Sequence, residues 1–430
     1  MKWLYRISFL DEHKINYTNA LVLGIKHKEQ TNLEYEEDIQ EISLLCDTLG
    51  LDVVDAVHHN LRKIYPATFI SKQKATQVIN QAKELECDNI IINAEISPAQ
   101  MKNLQNIAAY DVRILDRTGV IIDIFSVHAK SGEAKTQVGL AKLEYMLPRL
   151  TKQWTHLERQ MGGTGTRGGP GEKQIEIDRR LIRKDIDKLK KDLHKFQKTR
   201  ITQNQNRIET FQISLVGYTN AGKSSLMNIM TDSDVYVKDE LFATLDSTTK
   251  SLELNVNRKA LLSDTVGFIQ KLPHELVASF RSTLSDIQNA DLILKVVDSN
   301  YFNIKMHIAT IEDTIAMIGC DDIPTCFVFN KIDLISNQEL KSLMKRYQGS
   351  IFTSAYKNIG IEAINNHISR LASKDFIEKE LRIKYSNLSL LDDIYGTLDV
   401  LERKDLDSHV LIKAKGLQQS FSRITAKIKT

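Results

Sequence analysis

The sequence has few cysteines, no long apolar run and little net charge, and each shortage excludes a class of protein. Its four cysteines are Cys46, Cys87, Cys320 and Cys326. They form no C-x-x-C pair and no metal-like cluster with histidine, which favours free thiols in a reducing compartment. No apolar run approaches the roughly 20 residues that span a bilayer, and "MKWLYRISFLDEHK" lacks the apolar core of a secretory signal. We therefore expect a cytoplasmic protein without a membrane span.

The net charge is only +3 over 430 residues. A balance this small does not indicate a chain that binds nucleic acid over its whole surface, so any basic surface must be local. The length predicts two to four domains, and 42% hydrophobic residues are enough for packed cores.

The first part of the chain alternates apolar runs with helical spacing. Buried strands are predicted at 19–25, 51–57, 87–93 and 111–116, and helices at 38–48, 72–86 and 98–108. This alternation is typical of βα units around a parallel sheet. A second α/β unit begins near Glu209. The last part contains strand candidates "ELRIKY" and "HVLIKAK" and a helix candidate at 388–403.

The fold class predicted is therefore α/β and multidomain. It comprises an N-terminal α/β domain (1–130), a long helical hairpin with a glycine-rich loop (131–208), a central P-loop domain (209–373) and a small α+β domain (374–430). In the hairpin, residues spaced by 4 and 3 form a coiled-coil seam: Ile182, Ile186, Leu189, Leu193 and Phe196. The second helix is basic, because 172–200 holds 11 Lys or Arg against 6 Asp or Glu.

The strongest chemical motif is "FQISLVGYTNAGKSS". An apolar strand runs into Gly217-x4-Gly222-Lys223-Ser224 and an apolar helix follows, which is the context that a phosphate-binding P-loop requires. Backbone N–H groups of such a loop cradle phosphates at a helix N-terminus. Lys223 is placed to reach the β- and γ-phosphates, and the Ser224 hydroxyl to ligate Mg²⁺.

Two downstream motifs extend the site. A strand ends at Asp264 in "SDTVGF", where a carboxylate is able to hold Mg²⁺ through a water and the Gly267 N–H to sense the γ-phosphate. A later strand ends in Asn330-Lys331-Ile332-Asp333. A carboxylate pairs with the adjacent N1–H and N2–H₂ of guanine and with nothing comparable on adenine, so Asp333 predicts GTP over ATP.

The base pocket is completed by two further expectations. The Lys331 stem is expected to cover the purine, and the backbone amides of Ser354 and Ala355 to meet guanine O6. A switch loop between the first two motifs needs a threonine to complete the Mg²⁺ shell. Spacing alone leaves Thr244, Thr248 and Thr249 open. This loop is predicted to precede a β-hairpin at 252–256 and 260–263.

Together, "GYTNAGKSS", "LFATLD", "DTVGFI", "NKID" and "TSA" resemble GTPases of the translation-factor class. With "DRTGVIIDIF" and "GTRGGPGEKQIEIDRRLIRKDI" upstream, the chain resembles the HflX family from about Leu21 to about Ala372. The resemblance implies that Thr244 is the switch threonine. It implies partners as well: GTP or GDP with Mg²⁺, and the large ribosomal subunit with its RNA. The protein is expected to be monomeric off the ribosome, to bind the large subunit and to help split ribosomes under stress.

The predicted site residues fall into four sets. Lys223 and Gly267 are expected to stabilise the transferring phosphate, with no residue assigned to orient water. The GTP-binding set is Gly217, Tyr218, Thr219, Asn220, Ala221, Gly222, Lys223, Ser224, Ser225, Phe242, Ala243, Thr244, Leu245, Asp246, Asp264, Thr265, Val266, Gly267, Asn330, Lys331, Ile332, Asp333, Ser354, Ala355 and Tyr356. The Mg²⁺ set is Ser224 and Thr244, with Asp264 acting through water. The RNA-contact set is Arg167, Arg179, Arg180 and Arg183.

Two departures from expected patterns, at Phe268 and at residues 71–74, and one further position, Asn220, bear on the function. Phe268 stands where many GTPases have the glutamine that orients the attacking water, which predicts slow turnover alone and stimulation by a partner. Asn220 stands where related GTPases bind K⁺, and a turn-forming asparagine is the equal alternative. Residues 71–74 are Ser-Lys-Gln-Lys where the family has glycines, so a second nucleotide site there is not expected, and a helix start is predicted instead.

The stretch "GGTGTRGGPGE" at 162–172 matches the G-x-G-x-x-G pattern of dinucleotide-binding turns but has no strand before it. A flexible hinge is the plain alternative. By the family resemblance, we expect its glycines and Arg167 to approach ribosomal RNA.

Two other functions stay open on sequence alone. One is an ATP-dependent enzyme in which the N-K-I-D match is accidental, and the other is a binding module that holds nucleotide without hydrolysing it. His274, close to a predicted helix start, is not assigned to the site.

Overall fold

The computed structural model describes residues 19–108, 112–150, 170–205, 210–231, 241–242, 247–269 and 286–429. These fall into two compact units. The N-terminal unit contains the described residues up to Lys198, together with Leu241 and Phe242. The C-terminal unit contains the other described residues from Thr199 onward.

The N-terminal unit is built on a four-stranded parallel sheet in the order β2-β1-β3-β4. Its strands are β1 (Asn19–His27), β2 (Asp52–Leu61), β3 (Asn89–Ile92) and β4 (Arg113–Asp116). The intervening helices are α1 (Asn32–Thr48), α2 (Lys72–Glu84) and α3 (Pro98–Ala108). Thr31 caps α1 in a capping box with Glu34, and Ser71 caps α2. The predicted βα units are confirmed, and 71–74 is a helix start.

The "DRTG" segment has a structural role in this unit. Asp116 caps α4 (Arg117–His128), accepting from the Gly119 N–H and from the Tyr145 hydroxyl, both at 2.8 Å. Arg117 is buried and pairs with buried Glu41 at 2.6 Å. A buried ion pair of this kind fixes one arrangement of its elements, because breaking it leaves a buried charge without compensation.

Two long helices pack along an apolar seam. They are α5 (Gly132–Arg149) and α6 (Pro170–Gln205), and the seam consists of Leu140, Leu143, Leu147, Leu150, Ile182, Ile186, Leu189 and Leu193. The predicted heptad positions on α6 are confirmed up to Leu193. Phe196 is 36% exposed and does not belong to the seam. Pro148 lies in the last turn of α5.

The C-terminal unit contains a six-stranded sheet in the order β10-β9-β8-β5-β7-β6, parallel except for β6. Its strands are β5 (Phe211–Gly217), β6 (Thr248–Leu252), β7 (Ala260–Asp264), β8 (Leu292–Asp298), β9 (Thr325–Asn330) and β10 (Ile351–Phe352). Its helices are α7 (Lys223–Thr231), α8 (Ile304–Met317), α9 (Asn337–Arg346) and α10 (Ile361–Ala372). The parallel strands end at one edge of the sheet, and all the predicted nucleotide motifs that the structure describes follow those ends.

The same unit ends in a three-stranded antiparallel sheet, β11-β13-β12, with two helices. The elements are β11 (Ile377–Lys384), α11 (Leu390–Tyr395), β12 (Asp399–Leu406), β13 (His409–Gly416) and α12 (Gln418–Lys429). The predicted helix over 388–403 is wrong beyond Tyr395. Gly396 ends the helix, and pairing with β13 makes a strand of the next segment, so tertiary context overrides the helical spacing of its leucines.

The α/β multidomain fold class is confirmed, whereas the predicted domain boundaries stay a prediction. In the described ranges, no helix combines the length and the apolar character needed to cross a membrane.

Candidate nucleotide site

The loop between β5 and α7 has the backbone geometry of a phosphate cradle. Gly222 has φ +86°, and a Cβ there would lie 2.3 Å from the Asn330 side-chain nitrogen, so both conformation and space require glycine. Asn220 has φ +62°, a left-handed conformation that asparagine tolerates better than most residues. This agrees with the turn-forming role of Asn220 and leaves K⁺ binding untested.

Lys223 starts α7 and its ammonium group lies inside the loop. It is 6% exposed and donates to the backbone carbonyls of Gly217 at 3.2 Å and Tyr218 at 3.0 Å. Burial lowers the pKa of Lys223 to about 8, with Asp264 opposing the shift. Because burial destabilises the charged form of Lys223, a phosphate bound beside it would stabilise the ammonium group.

Ser224 and Asp264 bring a hydroxyl and a carboxylate together beside this lysine. Asp264 ends β7, is fully buried, and accepts from the Ser224 hydroxyl at 2.5 Å. These oxygen donors next to a phosphate loop match the preference of Mg²⁺ for oxygen, few protein ligands and substrate phosphates. In the described part of the chain, no cluster of three or more His, Cys, Asp or Glu offers a competing metal site.

The segment after Asp264 is joined to the phosphate loop by the backbone. The Phe268 N–H donates to the Gly217 carbonyl and the Thr219 N–H to the Phe268 carbonyl, each at 2.9 Å. The Phe268 ring is 2% exposed. The residue at the position of the water-orienting glutamine is therefore apolar and buried, but it lies directly against Thr219.

The guanine-recognition motif lies at the same sheet edge. Asn330 ends β9; its amide donates to the Ala221 carbonyl and accepts from the Ala355 N–H, both at 3.0 Å. Asp333 accepts from the Ser354 hydroxyl at 2.5 Å, which orients its carboxylate. Asn330 thus ties the phosphate loop to the segment expected to hold the base.

Lys331 is held in place by a residue that sequence reasoning missed. It adopts φ +61°, and its ammonium pairs with Asp298 at 2.8 Å. Asp298 ends β8, so a carboxylate at that strand end was a usable signal. This pair restrains the Lys331 side chain, whose aliphatic stem is expected to cover the purine.

A second missed feature is an aromatic stack behind the phosphate loop. The His307 ring lies between Tyr218 and Tyr301, with centroids at 3.9 and 3.7 Å. Burial, aided by Lys331, lowers the pKa of His307 to about 3, so the ring is neutral at physiological pH. No sequence motif marks His307, because its partners come from two separate loops.

Several predicted residues occupy other positions. The Ala355 N–H, expected at guanine O6, is taken by Asn330, and the Tyr356 side chain is 90% exposed. The Phe242 ring belongs to the N-terminal unit, where it packs edge-to-face on Phe125 at 4.6 Å. Thr248 and Thr249 lie in β6, paired with β7, because this strand begins four residues earlier than predicted.

Other predicted residues lie outside the described residues: Ala243, Thr244, Leu245, Asp246 and Arg167. Of the remaining RNA-contact set, Arg180 and Arg183 are exposed on α6. Arg179 donates to the Leu150 carbonyl at 3.3 Å and so helps to close the end of α5.

Family models cover three consecutive parts of the chain. Residues 36–126 match "GTP-binding GTPase N-terminal", residues 128–207 "GTP-binding GTPase Middle Region" and residues 212–331 "50S ribosome-binding GTPase". A solved GTP-binding protein of the archaeon Sulfolobus solfataricus in complex with GDP aligns with 83% of this chain and 99% of that chain, at 24% identity and a TM-score of 0.41.

Relatives named GTPase HflX match over most of their length. The protein of Magnetococcus marinus is 37% identical over 388 residues, covering 90% of this chain and 89% of that protein. The protein of Flavobacterium psychrophilum is 43% identical, with 75% and 78% covered, and that of Escherichia coli is 36% identical, with 81% and 82% covered. The chain therefore belongs to the HflX family of GTPases.

Proposed function

We propose that the chain binds GTP and GDP at the β5–α7 loop, hydrolyses GTP to GDP and phosphate, and couples its nucleotide state to binding of the large ribosomal subunit. The observation that carries the nucleotide part is the double bonding of Asn330. By contacting Ala221 and Ala355 at once, it joins the phosphate loop to the base-recognition segment. A loop that held only phosphate would not require this link.

Different residues bind the phosphates, the base and Mg²⁺. Lys223 and the loop amides hold the phosphates, Gly267 meets the γ-phosphate, and Asp333 and Lys331 select and cover the guanine. Ser224 and Thr244 are assigned to Mg²⁺ directly and Asp264 through water. The bound cation supplies positive charge to the β- and γ-phosphates.

Slow turnover in isolation is part of the proposal. The buried Phe268 ring has no hydrogen-bonding group for a water, so ordering of the site must come from elsewhere. K⁺ bound near Asn220 is one source of added positive charge. A GTP hydrolysis rate in KCl well above that in NaCl would support this K⁺ site, whereas equal rates would leave Asn220 only its role in forming the turn.

The ribosomal partner is proposed from two observations. The family model that matches 212–331 is described as a ribosome-binding GTPase, and α6 carries a strongly basic segment with exposed Arg180 and Arg183. Basic helices bind RNA phosphates, and the affinity falls with salt. We place the protein in the cytoplasm, partly on ribosomes and monomeric off them, where GTP-dependent docking serves subunit binding or splitting under stress.

GTP hydrolysis measured with and without purified large subunits tests the function. We expect a rate of roughly 10⁻⁴ to 10⁻² s⁻¹ alone, increased by the subunits, and tighter subunit binding with a non-hydrolysable GTP analogue than with GDP. Several turnovers per second by the isolated protein would contradict slow intrinsic catalysis. Equal subunit binding in both nucleotide states would remove the switch, and GDP binding without hydrolysis even on subunits would favour a binding module.

A further inference from the structure

Thr219 in the phosphate loop carries a buried hydroxyl that makes no hydrogen bond to the described part of the chain. The residue is 6% exposed, and its Oγ1 has no hydrogen-bond partner among the described residues. Burying a hydroxyl without a partner costs free energy that valine, of nearly the same shape, would avoid. Such a group calls for a ligand outside the chain itself.

The surroundings of Thr219 place that ligand at the γ-phosphate end of GTP. A Cβ built on Gly267 would lie 2.7 Å from the Thr219 methyl and 3.2 Å from the Lys223 ammonium, so both side chains adjoin the same face of Gly267. Lys223 and the Gly267 N–H are the groups expected to meet the γ-phosphate. Thr219 is therefore next to the bond that hydrolysis breaks.

Thr219 is also bonded to the residue that occupies the glutamine position. Its N–H donates to the Phe268 carbonyl at 2.9 Å, which fixes the loop backbone against this segment. The Phe268 ring is unable to orient a water, whereas the Thr219 hydroxyl both donates and accepts hydrogen bonds.

We propose that Thr219 is a catalytic residue whose hydroxyl orients the attacking water in GTP hydrolysis, a role that Phe268 cannot fill. The water oxygen bonds to Pγ while the bond from Pγ to the bridging β-phosphate oxygen breaks. That oxygen keeps the electron pair and leaves on GDP, and the water proton passes to the released phosphate. Thr219 keeps its own proton and accepts a hydrogen bond from the water. This inference rests on the proposed nucleotide site.

Thr219→Val and Thr219→Ser, compared with the wild type, test the role. Single-turnover GTP hydrolysis, GDP and GTP-analogue affinities, and the Tm of the nucleotide-free protein are measured on the full chain. In Thr219→Val we expect hydrolysis to fall about tenfold or more, affinities to stay within about twofold, and Tm to rise, because an unpaired hydroxyl has been removed. Thr219→Ser is expected to keep the rate within about threefold.

The outcomes distinguish failure of the Thr219 role from failure of the proposed nucleotide site on which it rests. A Thr219→Val protein that hydrolyses GTP at the wild-type rate overturns the catalytic role alone. Parallel losses of affinity and rate, or a lower Tm, identify Thr219 as a packing residue and overturn it too. Failure of the wild type to bind GDP overturns the nucleotide site and, with it, this role.

Discussion

In the proposed site, one carboxylate, that of Asp333, selects the nucleotide base. The Ser354 hydroxyl holds it at 2.5 Å, so the side chain is oriented before a base arrives. In Asp333→Asn, the amide offers one donor and one acceptor, which matches xanthine and mismatches guanine. We expect GTP affinity to fall by about 100-fold or more and xanthosine triphosphate to be accepted, measured by competition against fluorescent GDP.

Asp333→Ala is the control for this exchange, because it removes the acceptor without adding a donor. It should lose GTP and gain no xanthine nucleotide. An Asp333→Asn protein that still prefers GTP, or that uses ATP, would show that the carboxylate does not read the base.

His307 predicts a pH dependence of stability. Its folded pKa of about 3 lies below the ordinary histidine value of 6.5, so below pH 6.5 the unfolded chain binds a proton that the folded chain does not. Stability from this residue is complete above pH 6.5 and declines as the pH falls toward 3, by up to about 1.4 kcal/mol per pH unit. We expect the Tm of the wild type to drop more steeply between pH 7 and 5 than that of His307→Phe.

The phenylalanine ring keeps the stack with Tyr218 and Tyr301 and removes only the titration. His194→Phe, at an exposed position of α6, serves as the control and should follow the wild type. Identical slopes for the wild type and His307→Phe would contradict a neutral, buried histidine.

At the scale of elements, the β6–β7 hairpin links the nucleotide sheet to the terminal three-stranded sheet. The Asn257 N–H donates to Asp399 at 2.8 Å, and its side chain donates to the carbonyls of Tyr395 at 3.1 Å and Leu398 at 2.7 Å. Arg258 donates to the Ala372 carbonyl at 2.7 Å. Because β7 ends at Asp264, the hairpin runs from the carboxylate proposed to hold Mg²⁺ to the terminal sheet.

Asn257→Ala removes both side-chain bonds and leaves the backbone bond in place. We expect the loss to destabilise the anchoring of the terminal sheet by about 1–2 kcal/mol. Hydrogen–deuterium exchange at 395–399 should therefore become faster, while exchange in β5 and β9 stays unchanged. Asn255→Ala is the control on the same hairpin, since its exposed side chain bonds to Asn366 and, among the described residues, to nothing in the terminal sheet. Equal exchange in the two variants would contradict a specific role for Asn257.

At the scale of the whole molecule, we propose that one edge of the six-stranded sheet binds the nucleotide and that α6 contacts RNA. The buried seam of α6 leaves Arg180 and Arg183 exposed. The Arg180→Glu/Arg183→Glu variant should bind large subunits about tenfold or more weakly and with a shallower salt dependence, because two phosphate contacts are lost. GDP affinity should not change. Sedimentation with large subunits at several salt concentrations measures the effect.

A charge-matched control is available far along the chain. Arg382 and Lys384 are exposed on β11, and reversing both to glutamate changes the net charge equally. This variant should keep its ribosome affinity if α6 is the docking surface. Equal losses of affinity in both variants would show that overall charge, and not α6 itself, accounts for the effect. In the same assay, Arg167→Glu tests the adjoining glycine-rich loop.

Local patterns were sufficient for much of the fold. Apolar runs predicted the parallel strands of the N-terminal unit, and a 4–3 spacing predicted the seam up to Leu193. The helix predicted over 388–403 is wrong beyond Tyr395, because the segment that follows fits a helix by the spacing of its leucines but contains a strand that pairs with β13. The strand predicted at 252–256 lies instead at Thr248–Leu252, and the sequence missed its start because its threonines and lysine carry little apolar pattern.

The sequence by itself determined the family, the phosphate loop and the guanine motif, because each depends on residue types at fixed spacing next to a strand end. Tertiary structure decided what no spacing encodes. It bonded Asn330 to both halves of the site, paired Lys331 with Asp298, and stacked His307 between two tyrosines. It also left the Thr219 hydroxyl buried and without a partner among the described residues. These contacts join residues far apart in the chain, so they arise only when parallel strands bring their carboxyl ends to one edge.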